Sequence, residues 1–211
     1  MNIRLKAIQR YINYSDFLRK FAVLKSDNGP MSLIKNALLL IVSPASGWDD
    51  VDRSGFSPAK VLSGLFYPLL AILSISCFAE IFYDNLVTLS DMLMKAIVAF
   101  TSYFVSYYAI IFILSAIFPK QINGRATYAR FCNFVSYNLA FLVIVEIMSN
   151  IFMGLPPLDY FRLYVLLIAY KGLDFINVQK AEKRGFLIVC GALLLLTPLA
   201  LSKALNFMII R

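Results

Sequence analysis

The sequence contains no histidine. Its absence excludes HExxH and other histidine metal sites, Ser-His and Cys-His catalytic pairs, and any histidine proton relay. Charge is scarce as well: 15% of the 211 residues are charged, with 12 acidic residues against 20 lysines and arginines. A soluble surface cannot be built from so little charge when 60% of the chain is hydrophobic. The three cysteines, Cys77, Cys132 and Cys190, have neither metal-site nor disulfide-framework spacing, so they read as small packing residues. There is no P-loop, GxSxG elbow, GxGxxG fingerprint or pair of mid-span aspartates. The expectation is a chain with no catalytic residues, no metal and no cofactor.

What the sequence does hold is apolar residues gathered into stretches of about 20, the length that crosses roughly 30 Å of hydrocarbon at about 1.5 Å per residue. They fall at 61–82, 96–118, 131–153, 158–178 and 185–208. The expected fold is all-α: a polytopic membrane protein with a five-transmembrane-helix bundle over 61–211 and a cytoplasmic and interfacial segment over 1–60. Pro68 and Pro198 mark kinks in the first and fifth spans.

In the N-terminal segment Leu5, Ile8, Ile12, Phe17, Phe21 and Leu24 recur at roughly helical spacing among six basic residues. That is the pattern of a basic amphipathic helix on a membrane or partner, or else of a loosely ordered tail. The apolar run 37–42 is too short to span and reads as part of a short interfacial helix over 32–42. Trp48, the only tryptophan, is expected as an interfacial anchor, its ring buried in the head-group layer and its N–H wet.

Nine lysines and arginines precede the first span, three lie in 119–130 and four in 171–184, whereas 83–95 has one and 154–159 none. The positive-inside rule then puts the N-terminus and the richer loops in the cytoplasm and the C-terminus outside. The net charge of +8 fits anionic lipid head groups rather than nucleic acid.

Ionisable groups at bilayer depth need a partner, water or a short reach to the interface. Glu80, Lys95, Glu146, Arg162 and Lys203, one per span, fall in a common outer layer and can pair. Asn138, Glu146 and Asn150 follow steps of four on the third span, which makes a polar stripe. It reads either as a pathway or binding groove, or as interhelical hydrogen bonding that holds a bundle together. Lys171 and Asp174, three apart, are expected to pair locally, and Tyr160 and Tyr164 to join an aromatic belt.

The order of features, Ser43-Pro44-Ala45-Ser46-Gly47-Trp48-Asp49-Asp50-Val51 and then five spans, resembles the Yip1 family of small membrane proteins, particularly its bacterial branch. Gly64-Leu65-Phe66-Tyr67-Pro68-Leu69-Leu70, Tyr137-Asn138-Leu139-Ala140 and Tyr170-Lys171-Gly172-Leu173 carry the same resemblance. It implies a five-helix bundle with a cytoplasmic N-terminus in a bacterial inner membrane. Eukaryotic members are associated with vesicle traffic and Rab-type GTPases, but here the N-terminal segment is basic rather than acidic. The functional expectation is a non-enzymatic membrane scaffold or adaptor that contacts anionic lipid and other membrane proteins. The alternative is a small transporter or channel using the polar stripe.

Overall fold

A computed structural model describes residues 30–83, 86–119, 125–152, 157–179 and 182–209. The basic segment over residues 1–29, with its expected amphipathic helix, lies outside them. All the regular structure described is helical.

Four helices are long and apolar enough to cross a membrane: α3 (Pro58–Phe82), α4 (Leu89–Ile117), α5 (Arg125–Ile151) and α8 (Lys183–Ile209). Around them stand α1 (Pro30–Val42), α2 (Pro44–Ser54), α6 (Pro157–Phe161) and α7 (Tyr164–Gly172). Buried residues make up 83% of the most apolar stretch of α5, against 28% for α8, so α5 is the central helix.

Local chemistry sets the ends and irregularities. Ser57 caps α3 by accepting from the Lys60 N–H. Within α3 the proline at 68 has no N–H for the Gly64 carbonyl. The backbone responds one turn earlier with a wide π segment over Leu62–Phe66, closed by a bond from Tyr67 N–H to Leu62 O. A reciprocal capping box starts α4: Asp91 N–H donates to Thr88 Oγ1 at 3.2 Å, and Thr88 N–H donates to Asp91 Oδ2 at 3.1 Å. Pro198 sits inside α8.

The region expected as a fourth span, 158–178, is not one continuous helix. It breaks at Arg162 and Leu163, where Leu163 N–H reaches Tyr160 O at 3.0 Å and Val165 N–H reaches Arg162 O at 3.2 Å. These are three-residue bonds rather than four. The nine residues of α7 rise only about 14 Å before turns begin at Leu173. At the break Arg162 pairs with Glu146 at 2.8 Å, and beyond the end of α7 Asp174 pairs with Lys183. The segment nonetheless runs antiparallel beside α5, with Arg162 at Glu146 and Phe175 against the Arg130 guanidinium, 5.8 Å from its ring centre.

Packing adds to two expectations in α1 and α2. The helix over 32–42 is part of the bundle. Leu33, Asn36, Ala37 and Leu40 are buried in the bundle, while Met31, Ile34, Leu38 and Val42 point outward. Tyr164 Oη donates to the Ile41 carbonyl at 3.0 Å, and the Tyr164 ring lies 5.8 Å from that of Phe141, so the tip of α1 reaches the level of Phe141. The chain turns at Ser43-Pro44 and α2 returns, ending near Arg130, which pairs with Asp52 at 2.7 Å. A continuous core joins Leu33 and Trp48 to Leu194, and so runs across the boundary expected at residue 60.

Trp48, expected in the head-group layer, is 3% exposed. It stacks between Phe134 and Phe175 at centroid distances of 5.5 and 5.0 Å and donates Nε1–H to the Ile168 carbonyl at 2.9 Å. Its N–H is therefore satisfied by protein rather than by water.

Candidate functional site

At the end of the bundle away from Arg130, a cavity of about 270 Å³ lies between α5 and the C-terminal half of α8, with α4 along one side and the end of α3 at its rim. Each helix brings polar groups to it by helical spacing. From α5 come Glu146 and Asn150, four apart; from α4, Lys95, Ser102 and Tyr103; from α3, Cys77 and Glu80; from α8, Ser202 and Asn206, beside the apolar ring of Pro198.

The charges are organised in two pairs. Lys95 Nζ donates to both oxygens of Glu80, at 2.6 and 2.5 Å, and ties α4 to the last turn of α3. Arg162 and Glu146 tie the break between α6 and α7 to α5 at 2.8 Å, and Tyr103 Oη donates to Glu146 Oε2 at 3.4 Å. Asn150 Nδ2 donates to Ser76 Oγ at 2.9 Å. Deeper on α4, Ser102 and Ser106 turn their hydroxyls back to the carbonyls of Val98 and Ser102, each at 2.6 Å. Both are buried at close helix contact.

Of the residues singled out in the sequence, Glu80, Lys95, Glu146, Arg162 and Asn150 are thus brought together. Asn138 is not. It lies two turns deeper on α5, fully buried, with Nδ2 donating to the Phe134 carbonyl of its own helix at 2.8 Å. The stripe therefore borders a cavity at one end and is packed at the other. Lys203 is exposed and joins none of the ion pairs among the described residues.

Lys171 and Asp174 lie toward the opposite end and do not pair. Asp174 takes Lys183 of α8 instead, while the Lys171 ammonium stands 5.6 Å from the Tyr170 ring centre. The helix ends at Gly172, so the three-residue spacing no longer puts the two side chains on one face. Tyr160 is exposed as expected of a belt residue, but Tyr164 turns inward to Ile41.

The sequence reading passed over Tyr103, Ser202 and Asn206. Ser202 and Asn206 stand four apart, one turn after Pro198, and that spacing was the available signal. The arrangement offers charge of both signs, hydroxyls and amides around a small volume. Such a site can bind and orient a polar molecule, whereas its two carboxylates are each already held by a cation. Comparison with models of protein families, with curated proteins and with solved structures finds no match for this chain.

Proposed function

We propose that this chain is a five-pass membrane protein, Yip1-like in type, whose function is to bind a small polar ligand in the cavity between α5 and α8, without covalent chemistry of its own. The observation that carries the reading is the set of polar groups facing that cavity. Polar groups at hydrocarbon depth are unfavourable unless partnered, and the side chains of Ser202 and Asn206 make no hydrogen bond among the described residues. A cavity with these walls holds water or a polar guest. Its innermost lining includes the buried Tyr103, and Asn138, two turns deeper on α5 than Glu146, does not line it, which fits a one-sided binding pocket better than an open channel.

Five crossings are supported by the course of residues 157–178 along α5 from Glu146 to Arg130, about 24 Å of helix rise, although the helix is interrupted. The positive-inside count supports a cytoplasmic N-terminus in a bacterial inner membrane. The Yip1 resemblance draws support from the way its short motifs meet. Trp48, Tyr137 and Gly172 converge on one contact between α2, α5 and α7, while Gly47 packs against Leu40 of α1.

That convergence also favours a second reading, the scaffold or adaptor, because those motif residues are packed rather than lining a cavity. The two readings differ at Ser202. In a chain whose three cysteines are replaced by alanine, we expect a cysteine at position 202 to react in intact membranes with a hydrophilic maleimide applied from the non-cytoplasmic side. Reaction only after detergent solubilisation would refute the binding reading and leave the scaffold.

A further inference from the structure

We propose that the cavity takes a zwitterion, a ligand carrying one ammonium and one oxyanion, with the ammonium held at Glu146 and the oxyanion at Lys95. This rests on the binding reading above and specifies its ligand class.

Charge balance comes first. The cavity wall carries both signs of charge: Glu80 paired with Lys95, and Glu146 backed by Arg162. A ligand with a net charge would leave that charge uncompensated in a low-dielectric setting. The site therefore favours a guest of no net charge.

The bonds still available decide between a neutral polar guest and a zwitterion. Lys95 Nζ carries three N–H donors, and both of its bonds go to the same carboxylate, that of Glu80. An N–H remains for an oxyanion, and the Lys95 side chain is 54% exposed. At Glu146 both protein donors, Arg162 and Tyr103, arrive at Oε2. Oε1 receives none of the hydrogen bonds among the described residues and is open to an ammonium. The free donor is cationic and the free acceptor anionic, on neighbouring walls of one cavity. A neutral guest would forgo the charge-assisted bonds at both positions. At about 270 Å³ the space suits a single small zwitterionic group rather than a drug-sized molecule.

Two sources offer this chemistry: a free solute with an ammonium and a carboxylate or phosphate, and the head group of a zwitterionic phospholipid. The test is thermal unfolding of the full chain in a maltoside detergent. Alanine and phosphoethanolamine serve as zwitterionic probes, ethylamine and acetate as single ions, and glycerol as a neutral polar solute. In the lipid arm, native mass spectrometry compares retention of phosphatidylethanolamine and phosphatidylglycerol.

A zwitterion at ten times its Kd should raise Tm by about 3–6 °C, or phosphatidylethanolamine should be the lipid retained. Glu146→Gln should remove that preference. Ser202→Leu, which fills the cavity without touching an ion pair, should remove binding altogether while leaving Tm without ligand close to that of the parent. If single ions or glycerol match the zwitterions and Ser202→Leu abolishes their effect, the zwitterion assignment is wrong and the binding reading survives. If no probe and no lipid has an effect, or if the effect persists in Ser202→Leu, both are overturned.

Discussion

Trp48 reaches the Ile168 carbonyl only because Gly172, one turn on, has no side chain. A Cβ at 172 would lie 2.6 Å from Phe134 Cε2 and 2.8 Å from Trp48 Cε2. We expect Gly172→Ala to destabilise the protein by about 1–3 kcal/mol, the range for overpacking a filled core. Trp48 is the only tryptophan, so its emission reports the displacement directly. An unchanged Tm with unchanged emission would show that the rings can yield. The second residue-scale case is Glu146 with Arg162, whose side chains are only 26% and 22% exposed. Glu146→Gln removes a charge-assisted bond and leaves Arg162 in a polar but poorly hydrated place, a loss of about 1–3 kcal/mol. Replacing both by leucine should recover part of that loss, because apolar packing at a poorly exposed pair avoids the desolvation of its charges. A double-mutant cycle showing simple additivity would rule the pairing out as an energetic link.

At the scale of elements, α1 is amphipathic in the opposite sense to a helix on a soluble protein. Its outward residues Met31, Ile34, Leu38 and Val42 are all apolar, whereas Lys35 and Asn36 turn toward α2. Lys35 pairs with Asp50 at 3.5 Å, and the Asn36 amide fits between Asp50 Oδ2 and Ser54 Oγ. That polarity is favourable in hydrocarbon and unfavourable in water. A nitroxide on a cysteine at Leu38 should therefore be accessible to dissolved oxygen and shielded from a water-soluble nickel chelate. Access by the chelate would place α1 in water, and shielding from both would mean that protein covers it. The sequence made the existence of this helix legible but not its depth. Thirteen residues are too few to span, and the depth depends on Tyr164 and Trp48, bonded to carbonyls more than a hundred residues away in the chain. The interruption of 158–178 was hidden for a related reason. Its composition is that of a span, and the break falls at Arg162, whose partner Glu146 lies on another helix.

For the whole molecule, the two ends differ in what they hold. At one end Asp52 meets Arg130, and Phe186 at the start of α8 packs on Phe118 and Phe131, with centroids 5.0 and 6.5 Å away. At the other lie the two ion pairs of the cavity. Long apolar runs were readable from the sequence alone, because each is a property of a single helix. The cavity was not readable, because its walls come from four helices and its volume from the separation of α5 and α8. The same packing bears on topology. Phe186 beside Phe118 and Phe131 brings the start of α8 back to the end where α4 stops and α5 starts, and on the five-pass proposal 157–178 makes that crossing. Single cysteines at Gln121 and Gln179 should then react with an impermeant maleimide from one face of the membrane, and cysteines at Leu86 and Asn206 from the other. Were 157–178 to turn back without crossing, Gln179 would instead share its face with Leu86, and Asn206 would exchange sides with it. The basic loops predict that the Gln121 and Gln179 face is the cytoplasmic one.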